Sequence, residues 1–277
     1  MNIQQTAEQS LRDGDLVQAL QQLQEQVRAN PGDAKLRIFL FQLLAVLGQW
    51  ERALTQLEVA SNLDVSALAM TQMYREAIRC EVLRAQVFAG RKSPMIFGQP
   101  EPWLALLIES LLVAGRGQPV EAEQLRSQAF VQAESVGGTL DGQRFEWIAD
   151  ADSRLGPALE AIINGKYYWV PFANLSEIVI EAPEDLRDVV WMPVHFMFSN
   201  GGESVGLIPT RYPGSEAVGD SLLALCRKTI WSEVASDAYH GLGQRVIATD
   251  AGDVPLMDVR KIAIDPVEQG ASDSGLG

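Results

Sequence analysis

Apolar side chains in the first 135 residues recur at the three- and four-residue spacing of amphipathic helices. Val17, Leu20, Leu23 and Val27 form one such stripe. The pattern predicts helices over 7–12, 16–29, 34–47, 51–63, 70–88, 103–114 and 120–135. Breakers separate them: Gly14-Asp15, Asn30-Pro31-Gly32-Asp33, Gly48-Gln49, the loops around Gly90–Pro94 and Gly98–Pro102, and Gly115–Pro119. Pro31 cannot continue a helix, and Asp33 is placed to cap the next one. Beyond Gly137-Gly138 the pattern turns to short alternating runs. Strands are predicted over 166–172, 176–181, 245–249 and 259–264; 222–234 reads as strand or helix, with Thr229, Ile230 and Trp231 favouring strand. A hairpin is predicted from 189–198 and 204–208 about Asn200-Gly201-Gly202. Two stretches read as helical in this half: Phe145 to Asp150, and a short helix opened by Gly156-Pro157 and stopped by Gly165. The tail from Pro266 is rich in Gly, Ser, Asp and Glu and is expected to be disordered.

The helical half repeats itself. Gly14 recurs as Gly48, Ala19 as Ala53, Leu20 as Leu54 and Leu23 as Leu57. That spacing of 34 residues is one tetratricopeptide unit, a pair of antiparallel helices. The small residues let paired helices approach, and the glycines suit a helix end that needs positive φ. The repeat then decays; 103–114 and 120–135 read as a capping pair. The predicted fold class is therefore α+β: tetratricopeptide-like helical repeats over 1–138, a strand-rich domain over 139–265, and a tail over 266–277.

In such arrays the first helix of each pair lines the concave face, which holds a peptide or a helix. Here that face draws on Gln4, Glu8, Lys35, Ile38, Gln42, Gln72, Glu76 and Arg79. It is a polar surface with one apolar anchor. It lacks the paired Lys/Arg clamp with which co-chaperones of this fold grip a carboxylate. An amphipathic helix is the better-matched partner. In the second half, Tyr167, Tyr168, Trp169 and Phe172 alternate as a strand does. At least half of them belong to a core, and an exposed remainder, with Tyr167 and Trp169 as candidates, would make a partner hot spot.

Charge narrows the partners. The chain carries −14, and it is uneven: residues 1–138 hold 12 basic and 15 acidic side chains, residues 139–277 hold 10 and 21. An acidic second half repels phosphate backbones, which argues against nucleic acid; the same field would favour a basic partner surface or simply keep the protein soluble. The most apolar stretch, Trp103 to Gly115, is too short to span a membrane and contains Glu109. Met1 is followed by the polar run Asn2 to Thr6, which predicts no secretory leader and a cytoplasmic protein. Cys80 and Cys226 read as separate buried thiols.

Candidate chemistry is thin. Asp150, Asp152 and the group Glu181, Glu184, Asp185, Asp188 lack calcium-loop spacing and a neighbouring His, so capping and ion pairs to Arg154 and Arg187 account for them. His195 lies in an apolar strand run and reads as a core residue. Ser215 follows Pro213-Gly214 without the Gly-x-Ser-x-Gly elbow, which makes it a turn residue. Gly241-Leu242-Gly243 lacks the rest of a phosphate loop. No catalytic residue, metal site or cofactor is expected. One alternative stays open: Arg187, Arg211 and Arg245 converging on a small anionic ligand, in a ligand-binding or enzymatic second domain recruited by the repeats.

A series of motifs in fixed order carries a resemblance. It runs through Trp147-Ile148-Ala149-Asp150-Ala151-Asp152, Arg154-Leu155-Gly156-Pro157, Lys166 to Phe172, Asp185-Leu186-Arg187-Asp188 and Trp191-Met192-Pro193. It continues through Arg211 to Ser215, Thr229-Ile230-Trp231, Gly243-Gln244-Arg245, Thr249-Asp250 and Leu256 to Arg260. About half the chain thereby resembles the ImpE family, also called TagJ, accessory proteins of bacterial type VI secretion. The resemblance implies a non-catalytic cytoplasmic adaptor. Such an adaptor binds the N-terminal helix of the small contractile-sheath subunit (TssB) and is linked to the AAA+ ATPase (ClpV) that dismantles the sheath.

Overall fold

The computed structural model describes residues 3–235 and 237–266. Residues 267–277, which hold most of the tail expected to be disordered, lie outside the described residues. The helices are α1 (Ile3–Arg12), α2 (Leu16–Ala29), α3 (Ala34–Val46), α4 (Trp50–Leu63), α5 (Leu68–Phe88), α6 (Pro102–Gly115) and α7 (Pro119–Gln132). Asp15 caps α2 by accepting from the Gln18 amide, and Asp33 caps α3 by accepting from Lys35 and Leu36. Gly14 and Gly48 take φ of +80° and +66°, as the helix ends require. Ala19, Ala53, Leu23 and Leu57 are all fully buried, so the repeated positions are the packing positions.

The second half is mostly strand: β1 (Met95–Ile96, borrowed from the α5–α6 loop), β2 (Gly138–Leu140), β3 (Gln143–Phe145), β4 (Ile148–Asp150), β5 (Ala158–Ile163), β6 (Lys166–Pro171), β7 (Leu175–Ile180), β8 (Trp191–Phe198) and β9 (Glu203–Pro209). A one-turn helix α8 (Ser221–Ala224) precedes β10 (Thr229–Ala235), β11 (Ala238–Gly243), β12 (Val246–Thr249), β13 (Gly252–Pro255) and β14 (Lys261–Ile264). Nine strands form one sheet in the order β1-β6-β5-β9-β8-β7-β14-β2-β3; β10 and β11 make a ribbon, and β13-β12-β4 a small sheet.

Several segments differ from the pattern-based expectation. Phe145 to Asp150 is not helical; it ends β3 and forms β4. The helix expected after Gly156-Pro157 is strand β5, buried at every position. A central strand covered on both faces loses its alternation, and Ala-Leu-Glu-Ala is helix-favouring when read alone. The Gly156 turn takes φ of +51° and lies against the Phe130 ring rather than opening a helix. Of the strand expected over 222–234, the first part is α8, capped by Asp220, and only 229–235 is extended.

Two apolar clusters hold the fold together. The second lies on one sheet face and includes Phe145, Leu159, Val170, Ile178, Met192, Phe196 and Ile262. The first crosses between the halves: Leu23, Phe41, Leu57, Tyr74 and Leu107 from the helices share one core with Leu155, Ile162, Trp169, Trp191 and Leu207. Tyr74 is the pivot, with ring centroids 5.6 Å from Phe41 and 5.5 Å from Trp191. The helical array is thus one layer on a sheet.

Candidate functional site

The seam between array and sheet carries the chain's buried charge. Arg84 of α5 reaches Glu160 of β5 in a two-pronged pair, Nε to Oε1 at 2.6 Å and Nη2 to Oε2 at 2.8 Å. The same guanidinium donates to the Arg211 carbonyl at 2.8 Å and sits 3.4 Å from Glu81. Arg245, fully buried, joins Glu160 to Asp150. Tyr167 donates its hydroxyl to Glu160 and accepts from Trp169 Nε1 at 2.8 Å. Trp191 Nε1 donates to Glu81 at 3.0 Å. Burial alone would push the Glu160 carboxyl up, but the guanidiniums of Arg84 and Arg245 outweigh it and hold it at about 2. For Asp150 burial wins over Arg245, and its carboxyl rises to about 6.

These bonds decide the expectations for the second half. Tyr167 and Trp169 are 1% and 0% exposed, so they serve the seam and present no surface to a partner. Arg187, Arg211 and Arg245 do not meet around a ligand. Arg211 is buried and donates to the Ala45, Val46 and Ala224 carbonyls at 3.0, 2.6 and 2.9 Å. Arg187 pairs with Asp185 and lies over the Tyr74 ring. Asp152 pairs with Arg154, and Asp185 and Asp188 form a reciprocal cap on the turn Leu186–Val189. Ser215 is buried; it donates to the Tyr212 carbonyl and accepts from the Gly243 amide at 2.8 Å. Gly241 and Gly243 are small because the Tyr212 ring and the Lys228 carbonyl crowd them. Cys80 and Cys226 are buried free thiols, each pushed up to about 12 by burial. Among the described residues no His, Cys, Asp and Glu cluster is suited to a metal, and no helix is long and apolar enough to cross a membrane.

The expected concave face is divided. Gln4 lies on α1, with its side chain outside the described ones. Gln42 is buried, because Leu186–Val189 and Trp191 of the second half pack onto α3 and α5. Glu8 and Ile38 are half-buried, while Lys35, Gln72 and Arg79 are exposed. Glu76 is half-buried and pairs with Arg79 at 2.6 Å.

Glu76 also lines a groove of about 350 Å³ that residue patterns did not reveal. One wall is α5, with Met73 and Glu76. The other is the array-facing side of the sheet, with Ile162, Pro193, His195, Val205 and Leu207. Register explains the opening. Trp191, Pro193, His195 and Met197 share one face of β8; Leu207 stands opposite Pro193, and Val205 opposite His195. The array covers Trp191 completely but ends before the rest, leaving Val205 at 74% and Met73 at 47% exposure. The Asn164-Gly165 turn, with φ of +50° and +71°, closes the β5–β6 hairpin and meets the Glu76 side chain. His195 is therefore not a core residue: its side chain is 41% exposed, 3.4 Å from Glu203. The groove offers apolar anchors inside carboxylates, including Glu76 and Glu181, the arrangement of a docking site.

An array of tetratricopeptide units fused through its core to a largely antiparallel sheet is a protein-interaction architecture. The tetratricopeptide repeat pattern matches residues 10–71, and the ImpE protein family pattern matches residues 142–263. The chain is 49% identical to the type VI secretion system accessory component TagJ of Pseudomonas aeruginosa over 96% of this chain and 94% of that protein. It superposes on the crystal structure of protein VPA1032 from Vibrio parahaemolyticus with a TM-score of 0.85 and 26% identity, covering 94% of this chain and 97% of that one. The chain belongs to the ImpE/TagJ family of type VI secretion accessory proteins.

Proposed function

We propose that this chain is a non-catalytic cytoplasmic adaptor of type VI secretion. It binds the N-terminal helix of the small contractile-sheath subunit (TssB) and thereby tunes handling or disassembly of the sheath by the ClpV-type AAA+ ATPase. The observation that carries the reading is near full-length likeness to a type VI accessory component in a chain whose first half is a helical array. The wiring of the charged side chains supports it. The buried arginines and carboxylates are spent on one another and on backbone carbonyls, leaving recognition to surface shape.

The mechanism is capture without bond chemistry. An amphipathic helix seats its apolar face on exposed apolar side chains and its polar face on the rim. Holding the sheath subunit by that helix sets what the ATPase can reach. Titration calorimetry of the whole chain with a synthetic peptide of the sheath subunit's N-terminal helix tests this. The whole chain is required because the two halves share a core. The reading expects micromolar or tighter binding, about −8 kcal/mol, and none with a scrambled peptide. Absence of heat with folded protein would overturn it.

A further inference from the structure

We propose that the groove between α5 and the open end of β8 and β9 is the docking site for the partner, and that it takes an amphipathic helix with basic residues flanking its apolar stripe. This rests on the adaptor reading and adds to it a location and a charge. Three observations carry it. The groove lies on a sheet face whose neighbouring area is covered by helices of the chain itself, so one more helix continues that layer. β8 is paired with β7 on one side and β9 on the other, while β9 meets β5 only at Gly206 and Leu207. The groove floor on β8, at Pro193 and His195, therefore presents side chains and no free strand edge, which favours side-chain packing. Finally, the carboxylates Glu76 and Glu181 line the groove, with Glu203 beside His195 and Glu177 across from Met197 further along the strands.

Their cationic neighbours are fewer. Arg79 pairs with Glu76 and Lys261 with Glu177, while Glu181 makes no ion pair among the described residues. A helix with Lys or Arg on both sides of its apolar stripe would complete this rim, and an acidic helix would be repelled. Met73 and Val205 are the anchors: both are large, apolar and exposed, on opposite walls.

The test compares full-length variants in the same titration with the sheath-subunit peptide. Met73→Ser with Val205→Ser removes the anchors, Glu181→Lys reverses rim charge, and Val131→Ser, on the exposed side of α7, is the control. All four positions are exposed, and urea midpoints confirm that each variant folds. The groove assignment expects the double variant and Glu181→Lys each to weaken binding about tenfold or more. The Glu181→Lys effect shrinks at high salt, and Val131→Ser matches wild type. If wild type binds and both groove variants bind equally well, the groove is wrong and the adaptor reading stands. If folded wild type does not bind, the adaptor reading fails and takes the groove with it.

Discussion

Arg227 holds the end of the first repeat helix as Arg211 holds the end of the equivalent helix one repeat later. Arg227 donates to the Leu11 and Arg12 carbonyls at 2.8 and 2.7 Å, Arg211 to those of Ala45 and Val46. Leu11 and Arg12 lie one 34-residue period before Ala45 and Val46. The second half of the chain thus reads the repeat. It places a guanidinium against the carbonyls of the last turn of each first helix, where a positive charge also meets the negative end of the helix dipole.

The two arginines differ in burial, which sets their cost. Arg211→Met removes the donor to the Val46 and Ala224 carbonyls, leaves Ala45 with its Gly48 amide, and is expected to destabilise by about 2–4 kcal/mol. Arg227→Met, at a more exposed site, is expected to cost about 1 kcal/mol. Urea unfolding monitored by circular dichroism measures both; equal small losses would show that the seam tolerates missing caps.

Glu160 is the centre of the buried charge. Glu160→Gln leaves Arg84 and Arg245 undercompensated and is expected to cost about 3–5 kcal/mol. The pH dependence follows from its sign. Its folded value of about 2 lies below its ordinary 4.5, so its stabilisation is full above pH 4.5 and is lost as pH falls toward 2. In acid, wild type should lose stability over that window more steeply than Glu160→Gln. Parallel acid limbs would remove Glu160 from the account.

Gly14 and Gly48 separate backbone strain from contact. Both have positive φ, but a Cβ on Gly48 would meet Glu216 Cγ at 2.5 Å, whereas one on Gly14 finds nothing nearer than 3.8 Å. Gly14→Ala should cost about 1 kcal/mol from φ alone, and Gly48→Ala more than that. Thermal unfolding of the two variants decides it, and a larger loss at Gly14 would contradict the packing described.

Cys80 and Cys226 should be inert. Burial pushes each thiol up to about 12, so little thiolate is present at pH 8. Iodoacetamide labelling followed by mass spectrometry should stay near background in native protein and complete in urea. Rapid native labelling of Cys80 would reveal local opening of α5 from the β5–β6 turn.

The repeat was legible because its signals are local. Gly14, Ala19 and Leu23 return one period later for steric reasons that hold inside one helix pair. β5 was hidden because a strand buried on both faces shows no alternation, and Glu160 within it reads as an ordinary helix residue. Its partners Arg84 and Arg245 stand 76 and 85 positions away in the chain. The aromatic run at Tyr167 to Phe172 announced a packed strand, yet period two cannot tell a covered second face from an exposed one. His195 and Val205 went the other way. Their strands are covered at the Trp191 end and open beyond it, and where the array stops is a property of the fold alone.

The central claim is that array and sheet are one body joined by a shared core and a buried charge network. Differential scanning calorimetry of the full chain tests it most directly. One transition with equal calorimetric and van't Hoff enthalpies, shifted as a whole by Glu160→Gln, is the predicted result. Two separable transitions, only one of them moved by that substitution, would contradict it.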